Sequence, residues 1–216
     1  MTEPDAFQGF QREAVSFFEG LAADNSRAYW EAHRDVYERH VRAPMEALAR
    51  SLEGLFGSAH LYRPYRDLRF TKDKRPYKEQ VAVSFGGRGP RSVGGRHVHL
   101  DTSGLFVAAG AYRLEGDTLA AYRRAVAVDG PGEALRRIVA ELEQAGYEIH
   151  GEQLKRSPQG FAADHPRVAL LRRKGVAAVR SWRLEPWLFT PEAGDRIVRA
   201  LAGAEPLVAW LRAHLA

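Results

Sequence analysis

The chain has 216 residues, 45% of them hydrophobic, which suits one large domain better than two small ones. It contains no cysteine, which excludes disulfides, thiolate zinc sites, iron–sulfur clusters and a cysteine nucleophile. The formal net charge is +5, but residues 1–60, 61–100 and 101–216 carry −4, +7 and +2. The positive excess is therefore local, and an argument for an anionic partner rests on residues 61–100.

The first 60 residues have the apolar spacing of helices. Five apolar side chains between Phe10 and Leu21 predict one helix. Asn25 or Ser26 is suited to cap a second helix, whose stripe runs through residues 29–41. That stripe continues beyond Pro44, where we expect a kink or the start of a new helix.

An alternating pattern begins after Tyr62. The stretch "YRDLRFT" at 65–71 alternates, and Val81, Val83 and Phe85 repeat the period of two. The Gly-rich stretch at 86–96 predicts a hairpin loop, and residues 97–114 predict two strands around a turn at Asp101–Gly104. Together these segments predict an antiparallel sheet.

Helical spacing returns in the second half of the chain. We expect helices at 117–128, 132–145, 166–174 and 191–215, and strands in "YEIHGEQL" and "VAAVRSWRL". The order of elements predicts an α+β fold, a single domain over residues 1–216. Its antiparallel or mixed sheet is covered by N-terminal, middle and C-terminal helices.

The segment "RDLRFTKDKRPYKEQ" at 66–80 is the strongest candidate site. Pro76 holds Arg75 extended, so the chain is expected to turn at Lys72–Lys74 and return as a second strand. The basic side chains then meet at the sheet rim, where arginine forks and lysine ammonium groups suit phosphate or carboxylate. The candidate anion-binding residues are Arg66, Arg69, Lys72, Lys74, Arg75, Tyr77 and Lys78, helped by Arg113 and Arg123.

Two interpretations of this segment stay open. Only five of the 32 basic residues are lysines, and three of them lie at positions 72, 74 and 78, which favours a functional cluster. A solvated hairpin is the alternative, with an Asp67–Arg69 surface ion pair and Asp73 closing a turn. If the protein is an enzyme, Asp73 is the candidate general base.

Histidines and tyrosines suggest weaker hypotheses. His97, His99 and Asp101 alternate on a predicted strand and so share a face, a spacing that metal ligands can use. An exposed polar strand face is the favoured interpretation, and we predict no metal site and no cofactor. Tyr62, Tyr65 and Tyr77 flank the basic run, and their rings are suited to stack on a base or a sugar.

Four ordered motifs resemble a known family: "NSRAYWEAHRDVYERHVRAP", "RDLRFTKDKRPYK", "GLFVAAGAYRLEGDTLAAYRRAV" and "LKRSPQGFAADHPRVALLRRKG". They resemble the uncharacterised family called domain of unknown function 2461, over about residues 7–212. The resemblance implies no established activity. The positions that match its motifs are Arg69, Phe70, Asp73, Lys74, Pro76, Tyr77, Lys78, Gly110, Tyr112, Arg123, Leu154, Pro158, Gly160, Asp164, His165 and Pro166.

The leading hypothesis is a protein that binds a phosphorylated or otherwise anionic small molecule in a basic pocket on the 66–78 hairpin. The alternatives are a structural or interaction protein, in which the motif is an internal ion-pair network, and a nonspecific nucleic-acid binder, which is less favoured. The start "MTEPDAFQGF" lacks the features of a secretory signal, and no apolar run reaches the length of about eighteen that a membrane span needs. We therefore expect a cytoplasmic protein with no membrane partner.

Overall fold

The computed structural model describes residues 6–69, 72–87, 89 and 92–215. Helices dominate the first part of the chain. They are α1 (Arg12–Ala23), α2 (Arg27–Ala32), α3 (Arg34–Val36), a π-helical segment (Tyr37–Arg42) and α4 (Ala43–Phe56). The remaining helices are α5 (Gly116–Ala127), α6 (Asp129–Gln144), α7 (Val168–Leu171), α8 (Glu192–Gly203) and α9 (Glu205–Leu215), with a 3-10 turn at Pro186–Phe189.

The strands form one sheet. They are β1 (Ala59–Leu61), β2 (Gln80–Phe85), β3 (Gly95–Asp101), β4 (Gly104–Ala111), β5 (Glu148–His150) and β6 (Val176–Trp182). The sheet is antiparallel, with the order β1-β2-β3-β4-β6-β5. The predicted α+β fold is confirmed.

The chain divides into two compact units. Unit 1 comprises Met1–Phe85, His97–Val107 and Ser181–Arg199, and unit 2 comprises Gly86–Arg96, Ala108–Arg180 and Ala200–Ala216. The single domain stays a prediction.

Unit 1 owes its core to the predicted helical stripes. In α1 the buried residues recur with helical spacing from Ala14 to Leu21 and include Phe17 and Phe18. Ser26 caps α2 by accepting a hydrogen bond from the Tyr29 amide, as predicted. Helix α4 begins at Ala43, directly after the π-helical segment, and Pro44, which has no amide hydrogen, lies in its first turn.

Unit 2 has its core around α5, α6 and α9. Tyr122 of α5 is fully buried, and its hydroxyl donates to the Leu170 carbonyl. Leu135 and Leu142 of α6 are buried on the predicted stripe. Helix α7 is shorter than the predicted helix at 166–174, and a break at Ala204 divides the predicted C-terminal helix into α8 and α9.

None of the helices in the part of the chain that the structure describes is long and apolar enough to cross a bilayer.

Candidate functional site

The basic hairpin, residues 64–79 of unit 1, is anchored by aromatic stacking. The Tyr77 ring lies parallel to the Trp30 ring with 4.4 Å between centroids, and Tyr77 is only 5% exposed. Asn25 accepts a hydrogen bond from the Tyr77 amide and donates to the Tyr77 carbonyl. Tyr77 was predicted to contact a ligand, but its ring is packed inside the protein. The ring of Tyr65, 5.4 Å from that of Tyr77, is the more exposed one.

The two arms of the hairpin pair over a shorter stretch than predicted. The Arg66 amide donates to the Pro76 carbonyl at 2.9 Å, and the Lys78 amide donates to the Pro64 carbonyl at 2.7 Å. The described residues of the predicted strand 65–71 form only an isolated bridge to the returning arm, and residues 70–71 lie outside the described chain. Pro64 and Pro76 have no amide hydrogen, so a ladder cannot extend through them.

Asp73 is the centre of an ion-pair cluster. Its carboxylate accepts hydrogen bonds from Arg66 Nη1 at 2.5 Å and from Arg75 Nη2 at 2.7 Å, and Arg75 Nη1 donates to Glu79 at 2.6 Å. The hydrogen bonds from the Arg75 side chain and amide hold the pKa of Asp73 well below its usual range. A carboxylate so strongly stabilised in its charged form is a poor proton acceptor, which argues against Asp73 as a general base.

Arg69 and Lys74 also have partners within the hairpin. Arg69 donates to both carboxylate oxygens of Asp67, with distances of 2.9 and 2.6 Å. This forms the local ion pair of the alternative interpretation. Lys74 Nζ donates to the Leu68 carbonyl at 3.0 Å. Lys72 is exposed, with no hydrogen-bond or ion-pair partner among the residues that the structure describes.

Lys78 is the most enclosed of the hairpin lysines. Its Nζ donates to the Arg63 carbonyl at 2.8 Å and lies 5.5 Å from the centre of the Tyr62 ring. Burial, followed by the nearby charges of Arg63 and Arg66, lowers the pKa of Lys78. The Lys78 side chain therefore connects the hairpin to Arg63, the residue that precedes it. The hydrogen bond to the Arg63 carbonyl already occupies the ammonium group of Lys78.

Three arginines line an open hollow beside the hairpin. This Arg63 hollow has a volume of about 730 Å³ and is lined by Arg63, Arg66, Asp67, Leu68 and Arg69. Arg63 is exposed, and its guanidinium has no hydrogen-bond or ion-pair partner in the described ranges. Sequence reasoning missed this residue, although it lies in the +7 block directly before Pro64.

The two predicted helpers of the site do not line this hollow. Arg113 and Arg123 belong to unit 2. Arg113 Nε forms an ion pair with Glu115 at 2.6 Å. The Nε atom of Arg123 is buried, with no hydrogen-bond partner in the described part of the chain.

The histidine face of β3 is more enclosed than predicted. His97 Nε2 lies 3.1 Å from His99 Nδ1, and the His99 ring stacks on Phe106 with 4.6 Å between centroids. Burial and the neighbouring His99 lower the pKa of His97 to about 4. Asp101 lies 3.7 Å from His99. Among the described residues, no group of three or more His, Cys, Asp and Glu side chains is placed to hold a metal ion.

Comparisons with known proteins agree with the sequence motifs. No curated protein and no solved structure matches the chain. A family model described as "Conserved hypothetical protein (DUF2461)" matches residues 13–210, which include the hairpin and nearly all of both units. The match confirms the resemblance found in the four motifs, and the chain belongs to this conserved family, whose description names no activity.

Proposed function

We propose that this protein binds a small anionic ligand, such as a phosphate group, in the Arg63 hollow. The observation that carries the proposal is an exposed arginine, Arg63, at a hollow lined by two further arginines, with no hydrogen-bond or ion-pair partner for its guanidinium among the described residues. A guanidinium presents a fork of N–H donors that matches two oxygens of a phosphate or carboxylate.

The charge balance of the segment supports an anion. Residues 63–79 contain seven basic side chains and three acidic ones. The three carboxylates bind three arginines, since Asp67 pairs with Arg69 and the other two pair with Arg66 and Arg75. The remaining basic side chains have no carboxylate partner among the described residues. They are Arg63, Lys72, Lys74 and Lys78.

Asp67 is the one acidic side chain in the lining, and it opposes an incoming anion. Its pair with Arg69 is exposed, with Arg69 at 76% and Asp67 at 44% side-chain exposure. Two hydrogen bonds join the pair, so Arg69 contributes positive charge to the hollow while it is held by Asp67, as Arg66 does from its pair with Asp73. Arg63 is therefore the direct contact of the proposal.

The test uses inorganic pyrophosphate as the probe. We expect it to raise the melting temperature of the wild-type protein, because a ligand that binds only the folded state stabilises it. Arg63→Ala should abolish this rise without lowering the melting temperature of the free protein. Arg34→Ala, which removes another exposed arginine of unit 1, is the matched control and should retain the rise.

A structural role is the second candidate, favoured by the Asp73 cluster. It predicts that pyrophosphate leaves the melting temperature of every variant unchanged, whereas Arg66→Ala lowers the melting temperature of the free protein.

A single-stranded oligonucleotide tests the nucleic-acid alternative. If that alternative holds, log affinity should fall by about 0.7 per phosphate contact for each tenfold rise in salt. Either result would replace the small-anion proposal.

A further inference from the structure

A second hollow lies in unit 2 and differs in character from the Arg63 hollow. This Tyr112 hollow has a volume of about 550 Å³, within the usual range for small-molecule sites. It is formed where β4 and β5 end, from Tyr112, Arg113, His150, Gly151 and Glu152. None of these residues takes part in the proposed anion site.

Backbone packs closely at Gly151, one of the residues that line the Tyr112 hollow. Gly151 has a φ of +137°, and a Cβ built there would lie 2.2 Å from the Gly175 carbonyl oxygen. A Cβ on Gly175 would lie 2.1 Å from the Tyr112 carbonyl oxygen. Neither glycine therefore has room for a side chain, and the close approach of these backbone segments depends on glycine at both positions.

The Tyr112 ring is an open aromatic surface. Tyr112 is 55% exposed, among the largest exposed fractions of the apolar and aromatic side chains. Neither its ring nor its hydroxyl has a partner in the part of the chain that the structure describes. An exposed tyrosine beside a hollow offers a flat apolar face and a polar tip to a ligand.

Charges around the Tyr112 hollow are balanced in pairs. Its lining contains one arginine and one carboxylate, Arg113 and Glu152, so the hollow has little net attraction for either sign. Each of the two is paired with a group of opposite charge, Arg113 with Glu115 at 2.6 Å and Glu152 with Lys174 at 2.6 Å. Both pairs are partly exposed.

We infer that the Tyr112 hollow binds a neutral saccharide. A sugar has one face of C–H groups that packs on an aromatic ring, and hydroxyl groups that both donate and accept. In the lining, Arg113 can donate to such hydroxyls and Glu152 can accept from them, whereas a charged ligand is repelled by one of the two. The open shape and the single ring imply weak binding, in about the millimolar range.

The test is ligand-observed saturation-transfer NMR on the full chain with maltotriose, cellotriose and triacetylchitotriose. We expect transfer to at least one of them, and none to glycine, a zwitterion of small size. Tyr112→Ala should weaken binding of that saccharide about three- to tenfold, and Tyr112→Phe should retain most of it. Tyr65→Ala removes an exposed tyrosine of unit 1, and this control should bind as the wild type does.

The inference is overturned by no transfer to any of the three saccharides, by saccharide binding that Tyr112→Ala leaves unchanged, or by binding of glycine that depends on Tyr112. If Tyr112→Ala does not fold, Tyr112→Leu answers the same question, because it keeps the bulk of the side chain and removes the flat ring. Saccharide binding equal to that of the wild type in Tyr112→Leu would also overturn it.

Discussion

Arginines in two regions of the molecule form ion pairs with aspartate, but they differ in how deeply they are buried. In the hairpin, Arg66 and Arg75 meet Asp73 at the surface, with side-chain exposures of 26% and 48%. In unit 2, Arg167 is 6% exposed and reaches the joint between α5 and α6. Solvent screens the hairpin charges, whereas the guanidinium of Arg167 is shielded from solvent even though its carboxylate partner, Asp129, is 98% exposed. Burial, more than the number of ion pairs, therefore decides which arginine the fold depends on.

Arg167 completes the end of one helix and the start of the next. Its guanidinium donates to the carbonyls of Val126 and Ala127, at 2.8 and 2.9 Å, and to Asp129 Oδ1 at 2.9 Å. The last carbonyls of a helix lack partners within it, and a cation there is favourable to the helix dipole. Gly132 leaves room for the side chain, since a Cβ there would lie 2.6 Å from Arg167 Nε.

The largest effect is expected from Arg167→Met. Methionine retains much of the buried volume but leaves two carbonyls without their donor, so we expect a loss of about 4 kcal/mol in the free energy of unfolding. Chemical denaturation measures it. The control is Arg124→Met on the exposed side of α5, which should change stability by less than about 0.5 kcal/mol. A loss for Arg167→Met no greater than that of the control would contradict the role of burial.

Tyr77→Ala tests the other region and should have the second largest effect. Removing the ring that stacks on Trp30 leaves a cavity under the hairpin, and we expect a loss of about 3 kcal/mol in unfolding free energy. Tyr77→Phe preserves the stack and should remain within about 0.5 kcal/mol of the wild type. The same denaturant titrations measure both. If Tyr77→Ala costs as little as Tyr77→Phe, the ring is not the anchor of the hairpin.

The sequence patterns correctly predicted those features of the structure that depend on residues close together in the chain. The helical stripes, the cap at Ser26 and the Asp67–Arg69 pair all arise within a few positions of the chain. Contacts between distant residues left no such pattern. Arg167 reaches Asp129 across 38 positions, and buried Arg96 reaches Glu205 across 109. The sequence alone does not distinguish a buried arginine from an exposed one, because burial and partners are set by residues that are distant in the chain. For this reason Arg63 and Arg167 were not predicted.

His97 differs from the arginines in both regions, because it is an enclosed side chain that is neutral at pH 7. The pKa of His97 is lowered to about 4 in the folded state, against about 6.5 in an unfolded chain. Above pH 6.5 His97 is unprotonated in both the folded and the unfolded state, so it does not lower the free energy of unfolding. Between pH 6.5 and 4 the unfolded state gains a proton that the folded state does not, so the free energy of unfolding falls as the pH falls.

Between pH 7.5 and 5.0 we expect this histidine to cost about 2 kcal/mol of stability, measured by denaturant titration at both values. The pKa of His99 is also lowered by burial, which adds a loss of the same sign, although the Asp101 charge opposes it. His97→Phe should flatten the dependence on pH. His214→Gln, at an exposed position, should leave it unchanged. An equal slope in the wild type and His97→Phe would assign the acid sensitivity to other groups.

Asp73→Asn should have the smallest effect on stability and the most direct effect on the proposed anion site. Asparagine can still accept the hydrogen bond from the Arg75 amide, so the turn is retained, and the rings of Tyr77 and Trp30 still hold the hairpin. We therefore expect the melting temperature to stay close to that of the wild type.

The lost negative charge should tighten pyrophosphate binding by about two- to threefold at low salt. In about 1 M salt the gain should vanish, because the Debye length falls to about 3 Å. Glu19→Gln removes an exposed charge on α1 and is the matched control. If Asp73→Asn instead unfolds the protein as readily as Tyr77→Ala, the ion pairs are the anchor and the two regions depend on charge in the same way.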